Sequence, residues 1–247
     1  MAFDPTIILV GAALLFAAYV KGTTGLGFPL IATPMVALLL DIRTAITILI
    51  IPNIVMDLTQ IVRGSFPTAI LRRFFWLFLW TVVGVFLGTK VLVSLPLWIL
   101  DLTLGWMVLA FVLSNLFRLD LEVSFHQEKI LSPLIGFVGG FLNGMTNVFG
   151  PLLAAYLYGL RLPKTAFVKS ISAVIVVAKV SQLIAVSSWN LLTPSTLLLS
   201  LEVTIFILLS FYAGLKTQDR VNQQTFNRGL LALLSAIGVT LVVRSLR

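Results

Sequence analysis

The chain has 247 residues, 59% apolar and only 11% charged, against roughly 25% charged residues in ordinary globular domains. A mean hydropathy of +1.09 excludes a soluble domain and calls for several membrane spans, each of about 20 apolar residues for a hydrocarbon core about 30 Å thick. The net charge of +8 comes from basic residues set singly or in small clusters between apolar runs, which fits membrane orientation rather than nucleic-acid binding, and the lack of cysteine removes disulfides, thiolate nucleophiles and Cys metal sites.

Residues 1–20 carry no basic residue before Lys21, unlike the charged start of a signal peptide, and are read as a mature segment. Ten apolar runs follow one another at about 6–20, 29–40, 43–62, 74–93, 97–117, 130–142, 151–160, 166–186, 195–214 and 228–243. Four are too short to cross a bilayer: 29–40 reaches about 18 Å, 151–160 about 15 Å, and the runs before them about 20 Å. Short runs in consecutive pairs predict broken or re-entrant helices.

The pairs are related by an internal repeat. The stretch from Gly22 to Ala32 matches Gly144 to Ala154 at an offset of 122, sharing Gly, Thr, Pro, Leu and Ala, and Gly88-Thr89-Lys90 matches Gly214-Leu215-Lys216 at an offset of 126. The chain therefore divides into a first transmembrane repeat at 1–117, a charged cytoplasmic linker at 118–129 and a second repeat at 130–247. Placing the loop with Arg63, Arg72 and Arg73 in the cytoplasm collects eleven basic residues on that side and leaves four on the other. The loops 63–73 and 187–195 then face opposite sides, so the fold class expected is an all-α, polytopic transmembrane bundle of two inverted repeats. That is the architecture of many secondary transporters.

The two Gly-rich turns carry the chemistry. Pro29 and Pro151 are read as first-turn residues of the following short helices, with Thr33 and Pro34 an alternative start for the first. A helix N-terminus at membrane depth exposes unpaired N–H groups and favours an anion. Such backbone is tolerated only where it is buried in protein or lines a polar cavity. The two tips are expected to face each other near the midplane. Thr23, Thr24, Asn143, Thr146 and Asn147 add candidate donors, and Gly22, Gly25, Gly27, Gly144 and Gly150 permit close approach to the backbone. A packing role competes for the glycines, because Gly136, Gly140 and Gly144, like Gly84 and Gly88, form small-residue faces that bring helices together.

Ionisable residues inside apolar runs are functional candidates by their cost alone. Lys21 precedes the first turn, and Lys179 lies mid-run, three residues before Gln182 on one helix face; both can offset an anion's charge. Snorkelling competes for Lys21 and pairing with a buried acid for Lys179. Asp57 and Glu202 are candidates for proton coupling, with structural ion pairing as the competing role. Enzyme signals are missing: the only histidine, His126, lies in the charged central stretch, so no HExxH helix and no Ser–His pair exists within the membrane, and no GxxxxGK[ST] loop occurs. No cofactor or metal is expected. The five tryptophans lie mostly near run ends, where interfacial anchoring accounts for them.

Two halves that each open with an apolar segment, a Gly-rich turn and Pro-Leu resemble the TauE/SafE (TSUP, sulfite exporter-like) family. The resemblance rests on Lys21-Gly22-Thr23-Thr24-Gly25-Leu26-Gly27-Phe28-Pro29-Leu30 with Ala45, and on Phe141-Leu142-Asn143-Gly144-Met145-Thr146-Asn147-Val148-Phe149-Gly150-Pro151-Leu152 with Ala166. The family carries denser glycine in both turns. Here Leu26 and Phe28 interrupt the first turn, while Asn147, Val148 and Phe149 replace glycines in the second. The resemblance implies an integral protein of the bacterial inner membrane that moves small sulfur-containing anions such as sulfite, thiosulfate or a sulfonate. Phe28 and Phe149 then suggest an apolar wall for an organic anion. The expected partners are a small anion and the lipid bilayer, not nucleic acid, with homo-oligomerisation left open. A passive anion channel and a carboxylate transporter are the alternatives.

Overall fold

The computed structural model describes residues 5–62, 69–116, 125–217 and 223–246. Among them are eleven helices and no strand: α1 (Pro5–Thr24), α2 (Phe28–Leu39), α3 (Ile42–Val62), α4 (Ala69–Arg73), α5 (Phe75–Ser94), α6 (Leu97–Leu116), α7 (Phe125–Thr146), α8 (Gly150–Gly159), α9 (Lys164–Ser188), α10 (Pro194–Thr217) and α11 (Gln223–Ser245). Every apolar run is a helix, and α4 is an addition that hydropathy does not signal. Six helices are long and apolar enough to cross a membrane. Arg63, Arg118, Arg220 and Arg247 of the basic residues counted, and 118–124 of the linker, lie outside the described residues.

The helices before the two turns are longer than their apolar runs. Hydropathy ends them near 20 and 142, whereas α1 continues to Thr24 and α7 to Thr146. The threonine hydroxyls there are satisfied by the helix's own backbone: Thr23 and Thr24 each reach Val20 O, at 2.9 and 2.8 Å, and Thr146 donates to Leu142 O at 2.8 Å. Both helices then stop in the same way. Gly25 (φ 80°) and Asn147 (φ 69°) take the left-handed conformation, and their N–H groups bond Lys21 O and Asn143 O, each at 2.8 Å. Glycine and asparagine are the two residues that adopt this cap at least cost.

The chain forms two compact units. Unit 1 contains Met1–Pro52, Leu95–Arg118 and Pro194–Arg247, and unit 2 contains Asn53–Ser94 and Leu119–Thr193. The units cut across the sequence halves, and the division falls inside α3. In unit 1, α1 packs along α10 and α6 along α11; in unit 2, α5 packs along α7 and α9. Each unit therefore holds one interrupted helix pair, α1–α2 or α7–α8, against the long helix that carries the Gly-x-Lys sequence of the other half.

Glycine makes both crossings possible. A Cβ on Gly22 would collide with Phe211 O and the Gly214 backbone, and one on Gly144 would collide with Val85 O and the Gly88 and Thr89 backbone. The two sequence matches, at offsets of 122 and 126, are thus the two sides of one kind of helix crossing, made once in each unit. Gly88→Ala, whose Cβ would meet the Phe141 carbonyl, is expected to lose about 1–3 kcal/mol by overpacking. Gly229→Ala, with nothing within 4 Å, is expected to lose none. Melting temperatures in detergent check this, and an unshifted Gly88→Ala would remove the crossing as a determinant of stability.

Charge sits at the ends of the units. In unit 1, Arg244 donates to Leu38 O at 2.9 Å at the end of α2, Arg43 donates to Leu95 O at 2.6 Å, and Asp41 accepts from Thr44 N–H at 3.0 Å to cap α3. In unit 2, Arg73 makes a two-pronged contact with Glu128, at 2.7 and 2.8 Å. That hydrogen bonding lifts the guanidinium pKa above its already high ordinary value.

Candidate functional site in two interrupted helix pairs

In unit 1 the α1–α2 break is built by Gly25 and Gly27 (φ 93°), after which Pro29 sits in the first turn of α2. Pro34 lies inside that helix, so Pro29 and not Pro34 marks its start. The N-cap, Gly27, supplies no side-chain hydrogen bond, and the first amide engaged is Ile31 N–H, which bonds Gly27 O at 3.1 Å. Lys21, in the last turn of α1, is 1% exposed, which removes snorkelling as its role.

In unit 2 the α7–α8 break repeats this plan. Pro151 sits in the first turn of α8, the N-cap Phe149 gives no side-chain cap, and Leu153 N–H bonds Phe149 O at 3.1 Å. The amides of the first turn before Leu153 have no partner inside the helix. Lys179 of α9 reaches this break with no exposure to solvent. Its ammonium donates to Asn143 Oδ1 at 2.9 Å, to Gln182 Oε1 at 2.8 Å and to Asn147 Oδ1. Three amide oxygens match the three protons of an ammonium. Gln182 in turn donates to the carbonyls of Asn143 and Gly144, at 3.1 and 3.4 Å, and so ties α9 to the end of α7.

The glycines divide by what faces them. Gly22 and Gly144 face neighbouring backbone in the two crossings, whereas a Cβ on Gly150 would meet nothing within 4 Å and one on Gly27 only Ile31, at 4.0 Å. Gly27 and Gly150, at the starts of α2 and α8, are therefore the turn glycines beside open space. The threonines are placed differently from expectation. A hydroxyl has one proton; those of Thr23 and Thr146 have helix carbonyls as acceptors, and that of Thr24 has Val20 O or Leu26 O, each at 2.8 Å. Phe28 is fully buried, and Phe149 is buried with its ring over Gly139.

Asp57 is fully buried on the unit 2 part of α3, and Glu202 is exposed on α10 in unit 1. Sequence reasoning missed Gln60, which is buried and accepts from Ser172 Oγ at 2.8 Å. It also missed Ser170, whose buried hydroxyl has no hydrogen-bond partner among the described residues. A signal for Gln60 was present: Asp57 and Gln60 stand 122 residues before Lys179 and Gln182, the offset that relates the turns. Among the described residues no group of three His, Asp or Glu side chains could hold a metal.

Residues 10–241 match the family described as Sulfite exporter TauE/SafE. The chain belongs to this family. No curated protein and no solved structure matches it. TauE/SafE is a family of membrane transporters, and the six long apolar helices fit an integral membrane protein. The match spans both interrupted pairs and Lys179, so the polar groups in this TauE/SafE chain lie within the family's own extent rather than in an appended segment.

Proposed function

We propose that the chain is a secondary transporter that moves small sulfur-containing anions, such as sulfite, thiosulfate or a sulfonate, by alternating access. The observation that carries this reading is the buried Lys179 ammonium, held by neutral amides beside the uncapped start of α8. A buried ammonium favours an anion by charge, and each hydrogen bond to that ammonium contributes about 1.5–3 kcal/mol. The N–H groups at the start of α8 add their dipole, and the space at Gly150 gives the anion room. Lys21 and the start of α2 supply the corresponding elements in unit 1. Asp57, buried and in register with Lys179 across the repeat, is the proposed proton-coupling group.

The test uses purified protein in sealed vesicles with labelled sulfite at equal concentration on both sides. A proton gradient is expected to drive net sulfite movement against its own equilibrium. Sulfite flux down a gradient without response to the proton gradient would indicate a passive channel. Stabilisation of the protein by small carboxylates, with no response to sulfite, thiosulfate or sulfonates, would move the substrate class to carboxylates.

A further inference from the structure

Unit 1 holds a second feature, independent of the turns. A groove of about 530 Å³ runs between α1 and α10, lined by Val10, Leu14, Leu40, Ile48, Phe206 and Glu202 among others. Its volume lies within the range of small-molecule sites, about 300–1,000 Å³. The lining is almost wholly apolar; Thr6, at the start of α1, and Glu202 are its polar side chains. Several lining residues, including Ile7, Leu15 and Phe206, are exposed, so the groove opens on the apolar surface that the spans present to lipid.

Glu202 is out of place on that surface. It lies eight residues into α10, about 12 Å along the helix, within a segment apolar enough to span the membrane. No described residue hydrogen-bonds or ion-pairs with its carboxylate. A carboxylate at such depth is expensive unless a cation or donor meets it, and none of the groove's lining residues is basic. A second copy of the chain packed two-fold through this groove would set the same lining against itself and supply no cation, since that lining holds no basic residue. The missing charge has to come from the occupant.

We infer that this groove binds an aminophospholipid, with its primary ammonium on the Glu202 carboxylate and an acyl chain along α1 and α10. Hydrocarbon chains gain little over their neighbours in the bilayer, because lipid tails are as apolar as the lining. Selectivity therefore rests on the headgroup. Phosphatidylethanolamine offers N–H donors and a positive charge, whereas phosphatidylglycerol brings only a negative one.

Delipidated full-length protein in detergent, titrated with dilauroyl phosphatidylethanolamine or dilauroyl phosphatidylglycerol and followed by native mass spectrometry, tests this. The wild type is expected to retain phosphatidylethanolamine about three- to tenfold more strongly, and Glu202→Gln to lose the preference at an unchanged melting temperature, since the side chain is exposed. Equal retention of the two lipids by the wild type overturns the inference, as does a preference that survives in Glu202→Gln. A Glu202→Gln change in oligomeric state without any headgroup preference in the wild type also overturns it, in favour of a contact between chains.

Discussion

Lys179→Met is expected to lower sulfite affinity at least tenfold and, at the same time, to destabilise the folded protein by about 2–4 kcal/mol. Two effects combine because the ammonium has two duties. It carries the charge that an anion would meet, and it satisfies the oxygens of Asn143, Asn147 and Gln182. Methionine fills the space but donates nothing, so those oxygens are left buried without their donor, apart from a contact of 3.5 Å from Asn143 Nδ2 to Gln182. Asn147→Gly separates the duties. Glycine keeps the left-handed backbone that Asn147 adopts, the charge stays, and one acceptor is lost. This variant is expected to cost about 1 kcal/mol and to retain sulfite binding. Melting temperatures with and without sulfite check both. A folded Lys179→Met protein with wild-type sulfite affinity would falsify a role for the ammonium in the site.

Local rules made parts of this arrangement legible before any coordinates. Pro29 and Pro151 announce helix starts because a proline in the first turn forfeits no hydrogen bond, and the i, i+3 spacing of Lys179 and Gln182 already places them on one face. Other parts depend on which element lies opposite. The repeat of Gly22 in Gly144 and of Gly88 in Gly214 is plain in the sequence, but a glycine spared for a ligand and one spared for a helix crossing look alike until the neighbour is known. Here the neighbours are the two repeat sequences themselves, in crossed combination. Asn143 and Asn147 reach Lys179 across 36 and 32 residues, a distance no periodicity reports. Hydropathy also ended α1 and α7 about one turn early, since it counts Thr and Asn as polar without seeing that the threonine hydroxyls bond the helix backbone and that Asn143 meets Lys179.

The glycine division also decides where bulk should matter most. Gly25→Leu would confound strain with binding, because Gly25 sits at φ 80°, and any side chain on Gly144 would force the crossing with α5 apart. Gly150 carries neither burden: it lacks a positive φ, and a Cβ there meets nothing within 4 Å. Gly150→Leu is therefore expected to fold with a stability within about 1 kcal/mol of the wild type, since the helix propensity gained by leucine is offset by the restriction that Pro151 places on a side chain before it. Its side chain would nevertheless occupy the space beside the first-turn amides of α8, where the proposed anion would take its backbone hydrogen bonds. The expected result is a monodisperse protein whose thermal stabilisation by sulfite is lost, with affinity down at least tenfold. Gly144→Ala is expected to give the opposite pattern, a lowered melting temperature in the absence of ligand. Wild-type sulfite affinity in folded Gly150→Leu would remove the α8 N-terminus from the site. If Lys179→Met still lost binding, the anion would rest on the ammonium alone.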